Sequence, residues 1–255
     1  MARSRCRYYV SSTTLAERRN AIVRGIPSSF TDALTGHFGA GPTDIGLARV
    51  QHAAYVHALR EHGVNVIEIE PDEDYPDCVF VEDQAVTIGK KCFIPRVGHE
   101  SRIGEQTAVI SALAEYQEII LMGGGMMDGG DVMRIGDIFF IGRSERTDDA
   151  GIAEFRVFLE GEGFELRVIE IPKHVLHLTS MCSAPRNDIL LLTEGTVSPS
   201  TFGELPDTEM IMVPEIEVRG ANAIGFGDRM IIAAGNPTVE VELEARGVEL
   251  TILDI

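Results

Sequence analysis

The sequence predicts an α/β fold made of one repeated unit: a β-hairpin, then a helix, then a further strand. Three observations carry this. Short apolar runs meet across tight Gly, Asn or Asp turns, and those residues supply the positive φ angles that two-residue hairpins require. Segments of helical periodicity lie between the hairpins, and each continues into a β-rich run. The hairpin turns fall near residues 89, 136, 187 and 227, a spacing on the order of 40 to 50 residues that points to a radial or stacked repeat.

Taken in chain order, Asp44 is placed to cap a first helix that runs to about His62 and closes at Gly63. Ile45, Ala48, Tyr55, Val56 and Leu59 share one face of it, with His52 filling the gap. A strand is expected over residues 64–69. The first hairpin covers residues 84–94 around Gly89-Lys90, followed by a helix over 104–116 and a strand over 118–121. The second covers 132–142 around Gly136-Asp137, with a helix over 149–162 ending before Gly163 and a strand over 164–169. A looser hairpin passes through Arg186-Asn187 into residues 189–192. The last covers 223–234 around Gly227-Asp228, with a helix over 238–246 ending at Gly247 and a strand over 249–253. No low-complexity linker divides the chain, so one domain is expected over residues 21–255, preceded by an N-terminal extension over 1–20.

The 255 residues suffice for a large core, and 44% apolar with 24% charged residues is ordinary for a soluble globular chain. A formal net charge of -18 argues against nucleic acid, which needs clustered Lys and Arg. It suits a cationic ligand, because a negative field concentrates cations. No apolar run is long enough to span a membrane. The basic start, with Arg3, Arg5 and Arg7, lacks the apolar stretch of a secretory signal, so a cytoplasmic protein is expected. Cys6, Cys78, Cys92 and Cys182 are scattered without CxxC spacing, which reads as reduced thiols and not as a zinc knuckle or disulfide framework.

Common catalytic signatures are absent: Gly123-Gly124-Gly125 has Asp128 where a dinucleotide fingerprint needs glycine, and Gly89-Lys90-Lys91 lacks the hydroxyl residue of a phosphate loop. What stands out is polar residues set in apolar runs. Asp77 opens and Glu82-Asp83 close such a run, and carboxylates there can bind a guanidinium through two-point hydrogen bonds. The alternative is turn residues facing water. Asp128-Gly129-Gly130-Asp131 carries a diglycine that suggests close backbone approach, with either aspartate held near a site or serving as a turn former. His177 is alone among apolar residues, which fits a buried core histidine as well as a proton-transfer group oriented by a carboxylate such as Asp128. Arg96, Arg102, Arg143 and Arg146 read either as solvated arginines or as planar binders of a carboxylate.

In this order the segments DYPDCVFVED (74–83), the R-x-G-x-x-S-R pattern (96–102), MDGGDV (127–132), FFIGRSERT (139–147) and VLHLTSMCS (175–183) resemble the dimethylarginine dimethylaminohydrolase family. The likeness runs from about Ala21 to the end of the chain. It implies a five-module α/β propeller, the pentein fold, with the site on the central axis. By the same resemblance His177 is the general acid and base and Asp128 the carboxylate that orients it. Asp77, Glu82 and Asp83 surround the guanidinium, Arg102 and Arg146 hold the amino-acid end, and Leu34 lies on a covering loop. The implied reaction is attack of a cysteine thiolate on a cationic guanidino substrate, giving citrulline and dimethylamine, with no metal or other cofactor. The oligomeric state stays open, with a homodimer among the expected arrangements.

In the family the nucleophilic cysteine follows the strand matched by residues 248–253, whereas this sequence ends at Asp254-Ile255. Cys182 is five residues after His177, a spacing that places the two on opposite faces of a strand. Cys78 is beside carboxylates that would raise its pKa. The expectation is therefore a domain truncated at its closing segment, with the nucleophile missing from the given residues. Three readings remain open: a hydrolase of methylated arginine, a hydrolase of arginine or another guanidino compound, and a guanidino-binding homologue without turnover.

Overall fold

The computed structural model describes residues 20–35 and 43–255. The expected extension over residues 1–20 lies outside the described residues except for Asn20, which opens the first strand.

The described chain forms five modules. The first holds β1 (Asn20–Arg24), α1 (Ile45–Glu61) and β2 (Asn65–Ile69), the second β3 (Val86–Ile88), β4 (Lys91–Ile94), α2 (Thr107–Leu113) and β5 (Glu118–Leu121). The third holds β6 (Val132–Ile135), β7 (Ile138–Arg143), α3 (Asp149–Glu162) and β8 (Glu165–Glu170). The fourth holds β9 (Cys182–Arg186), β10 (Ile189–Thr193) and β11 (Glu209–Val213), the fifth β12 (Ile224–Phe226), β13 (Arg229–Ala233), α4 (Pro237–Glu244) and β14 (Glu249–Leu253). In modules two to five a middle strand pairs antiparallel with its hairpin partner and parallel with the strand that follows. In the first module β1 and β2 pair in parallel.

Local chemistry explains most of these elements. The Asp44 side chain accepts the Leu47 N–H at the start of α1, and Asp148 accepts that of Gly151 at the start of α3. Gly163 ends α3 in the left-handed conformation, φ 83°. One helix differs from its expected bounds, and one module departs from the others. The helix expected over 104–116 shortens to α2, because 3-10 and turn geometry occupies residues 100–106. The fourth module has only a 3-10 turn, Pro199–Phe202, where the others have a helix.

The middle strands set the architecture. Their side chains alternate between two faces, and each face meets a different neighbouring module. In β4, Phe93 joins the core with Phe139, Ile141 and Phe155, while Cys92 and Ile94 join the core with Val109, Ile22 and Ile69. In β10, Leu190 and Leu192 pack with Phe140 and Met133, while Ile189 and Leu191 pack with Met230 and Ile232. In β13, Ile231 turns away from that core to meet Val23, Val56 and Leu59 of the first module. Five seams thus hold five cores, and the last returns to the first module, which closes the ring. Burial on both faces is why these strands read as nearly continuous apolar runs.

Between modules the chain crosses the centre of the ring in short 3-10 turns: Val81–Gln84, Gly129–Asp131, Leu178–Ser180 and Glu215–Ala221. Residues 82–83 therefore do not end a strand, as expected from the sequence; a 3-10 turn carries them. The stretch around His177 is also not a strand, and His177 is the residue at which the third of these turns begins.

Candidate functional site

The turns place their polar residues against one another. The Asp83 carboxylate accepts the Gly130 N–H at 3.1 Å, and the Asp131 carboxylate accepts the Leu178 N–H at 3.0 Å. The second and third turns are thus each tied by a carboxylate of the turn before. The diglycine is required by this crowding. A Cβ on Gly129 would run into the Glu82 carbonyl, and one on Gly130 would lie 2.6 Å from Asp83 Oδ1 and 3.0 Å from the His177 ring.

His177 is 7% exposed and stands among three buried carboxylates. Its Nε2 is 3.5 Å from Asp83 Oδ1 and 3.8 Å from Asp128 Oδ2, and its Nδ1 is 3.4 Å from Asp131 Oδ2. Burial opposes the charged ring most strongly, yet Asp131, Asp83 and Asp128 together outweigh it and raise the His177 pKa. Asp128 accepts the Gly98 N–H through Oδ1 at 2.6 Å, while its Oδ2 has no hydrogen bond and faces Arg146 Nη1 at 3.5 Å. Burial, then the neighbouring Asp83, push Asp128 up to about 6. On the outer side of Gly98 a cavity of about 260 Å³ is lined by Arg96, Glu100, Gly104 and Met126.

Arg102 is deeply buried. It donates to Asp83 at 2.6 Å, twice to Glu105 at 2.9 and 2.6 Å, and to the Phe80 carbonyl at 3.2 Å. Burial works against its charge, and the two carboxylates more than restore it, so its pKa lies above the usual arginine value. Leu34 and Asp77 also come together, the Leu34 N–H donating to Asp77 Oδ1 at 3.1 Å. Glu82 is exposed on the turn that buries Asp83. Of the remaining candidates, Arg143 pairs with Asp149 and Glu170 at the surface, and Arg96 is exposed at the cavity rim.

The sequence reading gives no weight to Glu105, Ser144 or Thr147. Glu105 holds Arg102, and the two hydroxyls hold Asp131. A carboxylate three positions after Arg102 was the available signal for the first; nothing in the chain pointed to the hydroxyls.

The described cysteines stand apart from this chemistry. Cys78, Cys92 and Cys182 are each fully buried, and burial raises all three thiols, Cys92 to about 12. Asp83, Asp128 and His177 offer ligand atoms within 4.8 Å of one another, enough to surround a small cation.

Comparison with known proteins bears on the family and the fold. The eukaryotic N,N dimethylarginine dimethylhydrolase family matches residues 43–197. The N(G),N(G)-dimethylarginine dimethylaminohydrolase of Streptomyces coelicolor is 35% identical, covering 93% of this chain and 90% of that protein. The enzyme of the same name from Pseudomonas aeruginosa is 32% identical, with 92% of each covered. A Pseudomonas aeruginosa structure of a cysteine-to-serine mutant complexed with citrulline superposes with a TM-score of 0.85, covering 92% of each chain. The N-terminal domain of a cyanobacterial arginine dihydrolase reaches a TM-score of 0.82 at 16% identity, which extends the likeness in fold alone. The ring is the five-module pentein fold, and the chain belongs to the dimethylarginine dimethylaminohydrolase family.

Proposed function

We propose that the ring centre binds the guanidinium of a methylated arginine and supports its hydrolysis to citrulline and dimethylamine. The observation that carries this is the arrangement at His177 Nε2, with Asp83 at 3.5 Å and Asp128 at 3.8 Å. Carboxylates facing one imidazole nitrogen in a buried site supply planar acceptors for a guanidinium and keep it charged, hence electrophilic at carbon. Asp77 and Glu82 are the other carboxylates that the resemblance assigns to the guanidinium. Arg146, beside Asp128 and partly exposed, is the counterpart for the substrate carboxylate.

The chemistry divides into two steps. A cysteine thiolate adds to the guanidinium carbon, and protonated His177 gives its Nε2 proton to the departing dimethylamine. Neutral His177 then takes a proton from water, which adds to the thiouronium carbon and releases citrulline and the thiol. The raised His177 pKa suits the first role. None of the three described cysteines is exposed to supply the thiolate.

Two measurements on the 255-residue chain test the reading: calorimetric titration with citrulline, and citrulline formation from asymmetric dimethylarginine. Binding with turnover supports the reaction and overturns the expectation that the nucleophile is missing from these 255 residues. Binding without turnover supports the site and selects the guanidino-binding alternative for this chain. Absence of binding by folded protein overturns it.

A further inference from the structure

We propose that Asp131 is the positioning residue that fixes the tautomer and direction of the His177 ring, leaving Nε2 as the nitrogen that exchanges protons. The inference rests on the reading above for its purpose, though not for its test.

The two aspartates of the turn differ in what they face. Asp128 is on the Nε2 side, with one oxygen on the Gly98 N–H and the other toward Arg146. Asp131 is on the Nδ1 side and is fully buried. Three donors from two other parts of the ring hold it: Leu178 N–H on Oδ1 at 3.0 Å, and the Ser144 and Thr147 hydroxyls on Oδ2 at 2.6 and 2.7 Å. Gly142 completes the fit, because a Cβ there would lie 2.7 Å from Asp131 Oδ1. Nδ1 makes no hydrogen bond in this structure, and Asp131 Oδ2 is 3.4 Å from it. A carboxylate can only accept, and its own three donors hold it in place beside Nδ1, so the neutral ring is assigned its hydrogen on Nδ1.

Replacing Asp131 by asparagine reverses that logic. The Leu178 N–H keeps the amide oxygen at the Oδ1 position, so the NH2 group lies at Oδ2 and points at the ring. The Ser144 and Thr147 hydroxyls can rotate to accept, and Nδ1 must then become an acceptor. The hydrogen moves to Nε2, the nitrogen that has to be free to accept a proton.

The test is a long-range proton–nitrogen correlation spectrum of the full chain labelled with nitrogen-15, with the His177 signals assigned by their loss in His177→Gln. Above its titration, wild-type His177 should show a protonated Nδ1 and an unprotonated Nε2. Asp131→Asn should switch this to a protonated Nε2 and lower the midpoint by about one pH unit or more, whereas Asp128→Asn should keep the Nδ1–H form. The groups bearing on that midpoint are Asp83, Asp128 and Asp131 directly, with Arg102 and Arg146 acting through the first two. A wild-type ring protonated on Nε2, a measurement that needs no folded Asp131 variant, overturns the assignment. So does an unchanged Nδ1–H form in Asp131→Asn. Citrulline titration of the same samples reports separately on the ligand, so a failed tautomer assignment and a failed ligand reading are distinguishable.

Discussion

Arg102 donates to Asp83 at 2.6 Å inside the ring, where the two are 3% and 7% exposed. The resemblance assigns them to opposite ends of a substrate, and in the structure they are partners, with Glu105 as a third member. Removing the guanidinium leaves two buried carboxylates without a counter-charge. Arg102→Ala is therefore expected to destabilise the fold by about 3–5 kcal/mol in urea unfolding. Arg102→Lys should recover only part of this, because one ammonium cannot reach Asp83, Glu105 and the Phe80 carbonyl together. A melt indistinguishable from wild type would mean that the carboxylates are neutralised in another way.

The Leu34 N–H on Asp77 ties the segment at residues 28–35 to that carboxylate. Asp77→Ala removes both the tie and one acceptor for a guanidinium, and a lost hydrogen bond of this kind costs about 1 kcal/mol or more. Citrulline affinity should fall about tenfold, with little change in melting temperature because the contact is only partly buried. Asp77→Asn keeps an acceptor for Leu34 and should lose less. Equal losses in the two variants would assign Asp77 to charge alone.

Asp128 gives a pH-dependent prediction. Its folded pKa of about 6 is above the ordinary 3.8, so the folded chain takes up a proton that the unfolded chain releases in between. Its contribution to stability therefore falls as pH rises from about 4 to about 6. The gain in stability of Asp128→Asn over wild type should grow by about 3 kcal/mol across that window. A flat difference in urea midpoints would show that Asp128 is not the group that burial disfavours.

Much of the ring was legible in advance, and the reason is local. Hairpin turns at Gly89, Gly136 and Gly227 have φ between 57° and 72°, a conformation that selects glycine, so the sequence marks it. The caps at Asp44 and Asp148 act over three residues and are equally visible. β11 is not expected from the sequence: its five residues, Glu209–Val213, show no clear alternation and are not joined to β10 by a hairpin turn. The 3-10 turns at Val81–Gln84, Gly129–Asp131 and Leu178–Ser180 escape for a related reason, since three or four residues give no period to detect. That is why Glu82 and Asp83 read as the end of a strand. At the site, the sequence shows that Asp128 and Asp131 flank a diglycine. Which of them faces which ring nitrogen depends on the approach of Ser144, Thr147 and Leu178, contacts that only the closed ring brings together.

Gly130 and Gly161 should behave in opposite ways. Gly130→Ala places a methyl group against Asp83 and the His177 ring, so citrulline binding should be lost and stability reduced by about 2 kcal/mol or more through overpacking. Gly161 is inside α3 with nothing near its missing Cβ. Gly161→Ala should stabilise the fold by about 0.5–1 kcal/mol through helix propensity and leave binding unchanged. Tolerance of Gly130→Ala would mean that the turns around His177 pack less tightly than their spacing indicates.

The cysteines give the most direct check on where the chemistry comes from. Cys182 is in the core with Met133, Leu178 and Phe140, its thiol directed at the Leu178 carbonyl. Cys92 packs with Ile94 and Val109, and Cys78 points at the Asp72 carbonyl. Thiolate is the reactive form, and burial suppresses it at all three positions. Iodoacetamide at mildly alkaline pH should modify these three at least about a hundredfold more slowly in the folded chain than in urea, as read by peptide mass spectrometry. Cys182→Ala should cost about 1 kcal/mol or more of packing and leave citrulline affinity unchanged. Rapid native alkylation of Cys182, blocked by citrulline, would instead place that thiol in the site and require a different path for the attack on the guanidinium.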